Sequence, residues 1–243
     1  MLNEIYQWDC LEIIGGEQIQ DKSIDLLLTD PPYEFISKNP RGWWFMSKEN
    51  KKHLEDIDNS FWMSYNPKQF LELVKSKMKV FNAYIFTNKN LLLDYISFAE
   101  QNWYKRDILL RLKNNPVPIN NWHYLIDKEY CIYIKEKWAY FNSDLWYHNY
   151  FTYETHSIGK KEKYDIDWKM LSHPTQKPID MIERIIKISS KEWDTILDPY
   201  LWSWTTAVAC KKLNRNYIWI ELDENYIKIA NKRLQEHNQN SLF

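Results

Sequence analysis

The tetrapeptide Asp30-Pro31-Pro32-Tyr33 carries the clearest chemical signal in the sequence. It directly follows the apolar run at 24–29, and ligands of open α/β sheets bind outside the carboxyl ends of such strands. The prolines stiffen the turn because their rings fix φ. The Asp30 carboxylate and the Pro31 carbonyl form a rigid acceptor pair that can hold an exocyclic NH₂ group, and Tyr33 can stack on a planar ring. An aspartate turn cap followed by an ordinary Pro-Pro loop remains the alternative.

A second candidate site begins where another apolar strand ends, at Asp198. The segment 198–206 is predicted to be a tight loop that leads into a helix. About twenty residues later, the next strand carries Glu221 near its end, where an acidic residue holds ribose hydroxyls in nucleoside-cofactor sites. By itself Glu221 could be a solvated carboxylate, so its interpretation depends on the preceding loop.

A third motif, the hexapeptide HPTQKP at 173–178, opens an isoleucine-rich helix. Thr175 and the helix N-terminus offer hydrogen-bond donors to an anionic or carboxylate group. The same hexapeptide could also be a capped loop.

Strands that alternate with helices must position these motifs. The alternation predicts an α/β fold with a mostly parallel sheet. Helix starts are indicated by Asn66-Pro67, Pro178 and Asp223. Buried parallel strands are predicted at 24–29, 84–87, 195–197 and 217–222. The segments 34–65 and 114–172 have weak periodicity, so we interpret them as surface loops and a small inserted lobe.

Together the three motifs resemble those of the DNA amino-methyltransferases that modify adenine N6 or cytosine N4, in the permuted order that places the catalytic motif before the cofactor loop. Segment 3–11 also resembles the family's opening strand, which usually reads Gly-Asp-Cys. The resemblance covers both ends of the chain, and only about 34–165 matches loosely. It implies a Rossmann-like S-adenosylmethionine-dependent fold, with a seven-stranded, mostly parallel sheet and helices on both faces. The chain would be one methyltransferase domain, 1–243, with target-recognition inserts at about 34–65 and 114–172.

The resemblance also implies roles for individual residues. The flipped base would be held by Asp30, Pro31, Pro32 and Tyr33. S-adenosylmethionine would be bound by Asp9, Cys10, Thr175, Gln176, Lys177, Asp198, Pro199, Tyr200, Trp202, Ser203, Trp204, Thr205, Thr206 and Glu221. Asp9 and Cys10 would flank its adenine, and Glu221 would bind its ribose. Its carboxylate would lie near Thr175, Gln176 and Lys177.

The expected reaction is methyl transfer to the N6 amine of adenine in double-stranded DNA. An aspartate at the first motif position resembles the adenine-N6 members, since cytosine-N4 members more often carry serine there. Cytosine-N4 transfer is one alternative, and a catalytically inert DNA-binding remnant is another. A restriction endonuclease is an expected partner. Candidate phosphate contacts are Lys48, Lys51, Lys52, Lys105, Arg106, Arg111, Lys113, Lys160, Lys161 and Lys163.

Tryptophan stands where the family carries glycine. The cofactor loop reads Trp202-Ser203-Trp204-Thr205-Thr206 instead of Gly-Ser-Gly-Thr-Thr, and a large ring there should fill the cofactor's space. The chain has 4 glycines and 13 tryptophans, whereas average usage predicts about 17 glycines. Related exchanges, expected at buried strand and loop sites, occur at Trp8, Trp62, Trp103, Trp138, Trp146, Trp193 and Trp219, and at Trp43 or Trp44. We hypothesise that many of these codons are UGA read as glycine in the natural host; gene decay and true divergence are the alternatives.

Composition excludes several other classes of protein. The 243 residues are 44% hydrophobic and 27% charged, with a net charge of −1, which excludes a uniformly basic nucleic-acid coat. Mean hydropathy is −0.63, and no apolar run approaches the length of a membrane helix. Three isolated cysteines argue against a disulfide framework or a cysteine zinc site. We therefore expect no metal, no membrane and a cytoplasmic location.

Overall fold

The fold was analysed in a computed structural model of the chain. The structure describes residues 2–31, 65–114, 124, 127–145, 147–153, 164–166, 169–171, 177–201, 205–222, 224, 227–228, 230–232 and 234. No helix among these residues is long and apolar enough to cross a membrane.

A large, mostly parallel sheet forms the centre of the fold. Its strands are β1 (Glu4–Tyr6), β2 (Leu26–Thr29), β3 (Asn82–Thr87), β4 (Lys105–Lys113), β5 (Lys128–Lys135), β6 (Tyr150–Tyr153), β9 (Thr195–Asp198) and β10 (Asn216–Ile220). Their spatial order is β1-β10-β9-β2-β3-β5-β4-β6. Only β5 runs against its two neighbours. A separate antiparallel pair consists of β7 (Tyr164–Ile166) and β8 (Lys169–Leu171).

The helices that accompany the sheet in the described part of the chain include α1 (Cys10–Gly15), α2 (Pro67–Lys77), α3 (Leu92–Gln101), α4 (Ile179–Ser189) and α5 (Thr205–Lys212). Residues 224, 227–228, 230–232 and 234 are helical as well. The predicted start of α2 is confirmed, because the Asn66 side chain accepts a hydrogen bond from Gln69 N and Pro67 occupies the first turn. Pro178 caps α4 as predicted. Asp223 lies outside the described residues.

The alternation of side chains along β2 divides the core between the two faces of the sheet. Leu27 packs in a cluster with residues of α1, α2 and α3, among them Ile14 and Phe70. Leu26 and Leu28 pack on the opposite face with α4, including Met181 and Ile185. Burial on both faces explains why β2 is a continuous apolar run.

The sheet differs from the sequence-based expectation in two respects. It has eight strands within the described residues rather than seven. Moreover, β5 and β6 belong to this sheet although both fall inside the segment 114–172 that was interpreted as loops and a lobe. Cys131 to Ile134 of β5 are buried, so this part of the segment is core. Apart from Tyr65, segment 34–65 lies outside the described residues.

Candidate active site

The catalytic and cofactor motifs converge on one edge of the sheet. β2, β3, β9 and β10 are parallel, so their carboxyl ends share this edge. Antiparallel β5 brings its amino end to the same place. The edge therefore gathers Asp30 after β2, Asp198 at the end of β9, Glu221 after β10 and Glu129 near the start of β5. Open α/β sheets bind ligands at such an edge.

Asp30 has one paired and one unpaired carboxylate oxygen. Oδ2 lies 2.7 Å from the Nζ of Lys177. Oδ1 is buried and makes no hydrogen bond within the part of the chain that the structure describes. A buried acceptor without a donor is costly unless a ligand supplies one. Lys177 thus holds one oxygen of Asp30, and the other oxygen can accept a hydrogen bond from a ligand.

Lys177 is buried, with only 4% of its side chain exposed, and its ammonium faces two carboxylates. Besides Asp30, Nζ lies 3.7 Å from Oε2 of Glu129 and 5.0 Å from the centre of the Phe86 ring. Thr205 Oγ1 donates to the Lys177 carbonyl at 3.0 Å, which ties this segment to the start of α5. The resemblance placed Lys177 near the cofactor carboxylate; in the structure its ammonium pairs with Asp30, the predicted catalytic aspartate.

Glu129 is a site residue that sequence reasoning missed. Its carboxylate lies 2.6 Å from Arg111 Nη1 and 2.8 Å from Lys113 Nζ, in addition to its contact with Lys177. Burial would raise the pKa of Glu129, but the positive charges of Lys177, Arg111 and Lys113 outweigh burial and hold this pKa well below its ordinary value. The only sequence signal was an acidic residue next to the apolar run 130–134.

One of the expected phosphate contacts, Arg111, is wrong, because it is only 4% exposed and pairs with Glu129 inside the protein. Lys113 pairs with Glu129 as well, but its side chain is partly exposed, so its predicted phosphate contact stays a prediction. Lys105 and Arg106 lie at the opposite end of β4, roughly 25 Å from Lys113 at about 3.3 Å per residue. Arg106 pairs there with Glu100. The remaining lysine candidates lie outside the described residues.

The cofactor side of the edge is built around a buried carboxyl. Asp198 is buried, and burial raises its pKa to about 8, although hydrogen bonds from Thr206 and the backbone N–H of Tyr200 lower it. Tyr200 N lies 3.3 Å from Asp198 Oδ1. The nearby charge of Asp30 adds to the increase. Asp198 is therefore protonated at neutral pH, unlike Glu129.

Tyr200 and Cys10 form a buried wall beside Asp198. Burial raises the pKa of Cys10 to about 12, against a hydrogen bond with Tyr200. Tyr200 also packs edge-on against Tyr65, with ring centroids 6.1 Å apart. Asp9, which was expected to flank the cofactor adenine, uses Oδ1 to accept from the backbone N–H groups of Leu11 and Glu12. It caps α1 and thereby fixes Cys10.

Glu221 follows β10 as predicted. Its backbone N–H donates to the Tyr6 carbonyl at 3.0 Å, and its Oε1 accepts from Leu222 N at 2.9 Å. The structure thus brings Asp30, Pro31, Cys10, Lys177, Asp198, Pro199, Tyr200, Thr205, Thr206 and Glu221 to one edge of the sheet. The predicted site residues outside the described part are Pro32, Tyr33, Thr175, Gln176, Trp202, Ser203 and Trp204.

Several tryptophans have surroundings that suit glycine. Trp103 has φ 58° and Trp193 has φ 69°, the left-handed region that glycine adopts at no steric cost. The expectation that such tryptophans are buried is wrong for both, since they are 94% and 68% exposed. Trp8 and Trp138 are exposed as well. Trp219 is buried as expected, but its Nε1 has no hydrogen-bond partner in the described part of the chain.

Comparison with known proteins identifies the class. A sequence model described as DNA methylase matches residues 24–232. The Type II methyltransferase M2.MboI of Moraxella bovis is 30% identical over 96% of this chain and 87% of its own length. M2.DpnII of Streptococcus pneumoniae is 31% identical over 91% of this chain and 86% of its own. A crystal structure of an M1.HpyAVI–SAM complex is 30% identical, with a TM-score of 0.64 over 95% of this chain and 98% of that one.

The chain therefore belongs to the DNA methylase family. It is a DNA methyltransferase with the fold of the S-adenosylmethionine-dependent enzymes, and its cofactor is S-adenosylmethionine. The donor set suits this molecule. A strand-end carboxylate at Glu221 can bind hydroxyls, and the buried wall of Cys10 and Tyr200 can cover an adenine.

Proposed function

We propose that this enzyme transfers a methyl group to the exocyclic N6 amine of adenine in double-stranded DNA. The observation that supports this target most directly is the divided carboxylate of Asp30. Its Oδ2 is held by Lys177 at 2.7 Å, while Oδ1 is a buried acceptor without a protein donor in the described residues. An amine N–H is a donor that fits this vacancy in the hydrogen-bond network.

The proposed mechanism depends on orientation. The target base leaves the duplex at a cost of a few kcal/mol and stacks on Tyr33. Asp30 Oδ1 and the Pro31 carbonyl accept the two amine hydrogens, which directs the nitrogen lone pair toward the cofactor. When bound, S-adenosylmethionine would supply the methyl group from its sulfonium: the methyl–sulfur bond would break as the methyl–nitrogen bond forms, S-adenosylhomocysteine would leave, and the amine would release its extra proton to water. Positioning and fixed charges, rather than a covalent intermediate, then account for the rate.

For the cofactor, we propose that Glu221 binds the ribose hydroxyls, while Cys10 and Tyr200 line the adenine. Asp9 acts indirectly, as the cap that holds Cys10 in place. The loop 198–206 surrounds the methionine portion, with Thr205 and Thr206 buried at the start of α5. For Thr175 and Gln176, which are outside the described residues, we propose a role in binding the methionine carboxylate.

We also propose that Trp202 and Trp204 are glycines in the natural protein, together with Trp103, Trp193 and other tryptophans of this set. Positive φ values at Trp103 and Trp193 support this, as does the unpaired buried Nε1 of Trp219. The mass of the natural peptide spanning 195–210 tests it directly. Glycine masses at 202 and 204 would support an intact cofactor loop. Tryptophan masses would favour the inert DNA-binding remnant.

The target base is tested with duplex DNA, S-adenosylmethionine and the protein with glycine at 202 and 204. Digestion to nucleosides and mass spectrometry should give N6-methyladenine. N4-methylcytosine would instead support the cytosine alternative and contradict the proposed target. A restriction endonuclease that recognises the same DNA site is the partner we propose. A reducing cytoplasm suits the three free, buried thiols.

A further inference from the structure

Four charged side chains extend from Asp30 into the protein, and only Lys177 among them contacts Asp30 directly. Lys177 and Arg111 are 4% and 5% exposed at the side chain, and Glu129 is 22% exposed. Their contacts form a chain from Asp30 to Lys177 to Glu129, which Arg111 and Lys113 hold from the other side. Buried ion pairs of this kind rarely stabilise a fold by themselves, so their arrangement suggests another use.

We propose that Glu129 is a positioning residue that keeps the Lys177 ammonium against Asp30 Oδ2, so that Oδ1 faces the target amine. This inference rests on the proposed function of Asp30. Glu129 does not touch the substrate in this scheme, and no proton moves through it. It acts only by fixing the place and charge of Lys177.

The geometry explains why Lys177 needs Glu129. Nζ lies 2.7 Å from Asp30 but 3.7 Å from Glu129, so the ammonium is drawn toward two carboxylates on different strands. Arg111 and Lys113 bind Glu129 at 2.6 and 2.8 Å, which leaves the carboxylate little freedom to turn away. With Glu129 neutral, the Lys177 ammonium loses one of the two carboxylates that attract it, and its position against Asp30 is less firmly fixed.

Glu129→Gln tests the proposal because it removes the charge and preserves the shape. Glu183→Gln is the matched control. Glu183 is also buried and pairs with two lysines, Lys212 at 2.7 Å and Lys187 at 3.5 Å, but it lies on α4 away from the site. All variants are made in the full chain with glycine at 202 and 204.

We expect Glu129→Gln to lower the single-turnover methylation rate about 10- to 100-fold, the size of effect that small misplacement of reacting groups produces. The affinity for S-adenosylmethionine should not change. Glu183→Gln should leave the rate unchanged.

A double variant separates positioning from a general structural role. If Glu129 acts only through Lys177, Lys177→Gln combined with Glu129→Gln should be no slower than Lys177→Gln alone. Additive losses would overturn the proposal. A ¹⁵N-lysine NMR spectrum of the cofactor-free protein gives a readout independent of activity. A protected ammonium signal that disappears in Lys177→Gln identifies Lys177, and its persistence in Glu129→Gln would overturn the proposal.

Asp30→Asn distinguishes failure of this inference from failure of the proposed function. If Asp30→Asn is inactive while Glu129→Gln is fully active, the positioning role is wrong and the role of Asp30 stands. If Asp30→Asn retains full activity, the proposed function of Asp30 is itself wrong.

Discussion

The two halves of the site shift the pKa of a buried carboxyl group in opposite directions. In the proposed catalytic half, formed by Asp30, Lys177, Glu129, Arg111 and Lys113, three cations hold the pKa of Glu129 well below its ordinary value. In the proposed cofactor half, formed by Cys10, Asp198, Tyr200, Thr206 and Glu221, burial raises the pKa of Asp198 to about 8. Both carboxyls lie at the same edge of one sheet.

The difference shows that depth alone does not set the charge of a group. The pKa of Glu129 is lowered because Glu129 lies among cations, whereas burial dominates the pKa of Asp198 and the hydroxyl and backbone donors around it only partly offset that burial. The catalytic half is thus organised by fixed charges before any ligand arrives. The cofactor half is organised by packing of tyrosine and cysteine side chains, and it keeps its central carboxyl neutral.

Removal of the Asp30 charge should produce the largest loss of methylation rate among these variants. We expect Asp30→Asn to lower the single-turnover rate of adenine methylation by about 10²- to 10³-fold, because a preorganised polar contact to the reacting group is lost. Asp25→Asn is the control, since Asp25 precedes the same strand but pairs with Lys79 at 2.7 Å, at the other end. Equal rates for the two variants would contradict the role assigned to Asp30.

The opposite pKa shifts predict opposite effects of pH on stability. The folded state of Asp198 binds a proton between about pH 4 and pH 8 that the unfolded state has released, so its contribution to stability is present at low pH and is lost as pH rises through that window. Glu129 contributes above its ordinary pKa of 4.5, and this contribution is lost as pH falls toward its lower folded value.

Urea unfolding from about pH 2 to pH 8 measures both effects, because the Glu129 window lies below pH 4.5. In the protein with Asp198, the free energy of unfolding should fall by on the order of a few kcal/mol as the pH rises from about 4 to 8, at 1.36 kcal/mol per pKa unit. Asp198→Asn should abolish this fall. Glu129→Gln should change the slope only on the acidic side. An unaltered pH dependence in Asp198→Asn would show that the two halves do not differ in this way.

Loss of the Tyr200 ring should weaken the cofactor half alone. In the protein with glycine at 202 and 204, Tyr200→Leu should raise the Kd for S-adenosylmethionine about tenfold, since an aromatic contact contributes roughly 1 kcal/mol beyond its area. Tyr104→Leu is a matched control, because Tyr104 stacks on Phe81 with centroids 4.9 Å apart and lies before β4, away from the site. Calorimetric titration that gave the same Kd for both variants would argue against an adenine-binding wall.

The smallest expected effect is on the free energy of unfolding, and it comes from backbone strain at two residues outside both halves of the site. Trp103→Gly and Trp193→Gly should each raise the free energy of unfolding by about 1 kcal/mol, because glycine adopts a positive φ without the Cβ clash. Trp138→Gly is the control: this residue is 77% exposed but has no positive φ. Stabilisation by the Trp138 variant as large as the others would remove φ as the explanation.

Local signals were the predictable part of the fold. The apolar run before Asp30, the Asn66-Pro67 helix start and the strand before Asp198 depend on neighbouring residues, and the structure confirms all three. The segment 114–172 was misinterpreted because β5 owes its place to pairing with β3 and β4. Its apolar run was visible, but no local pattern indicates which strands will flank it.

The sequence by itself determined the motifs, their order and the positions where tryptophan conflicts with a turn, since short-range sterics and hydrophobic period govern these features. Only the tertiary structure decided that Glu129, Lys177 and Asp30 meet. Their contact depends on the antiparallel register of β5, which sets Arg111 opposite Glu129, and on the packing that buries Lys177. Charged residues that are distant in the chain interact strongly only when strand pairing brings them to the same edge of the sheet. Burial then removes the water that would otherwise screen them.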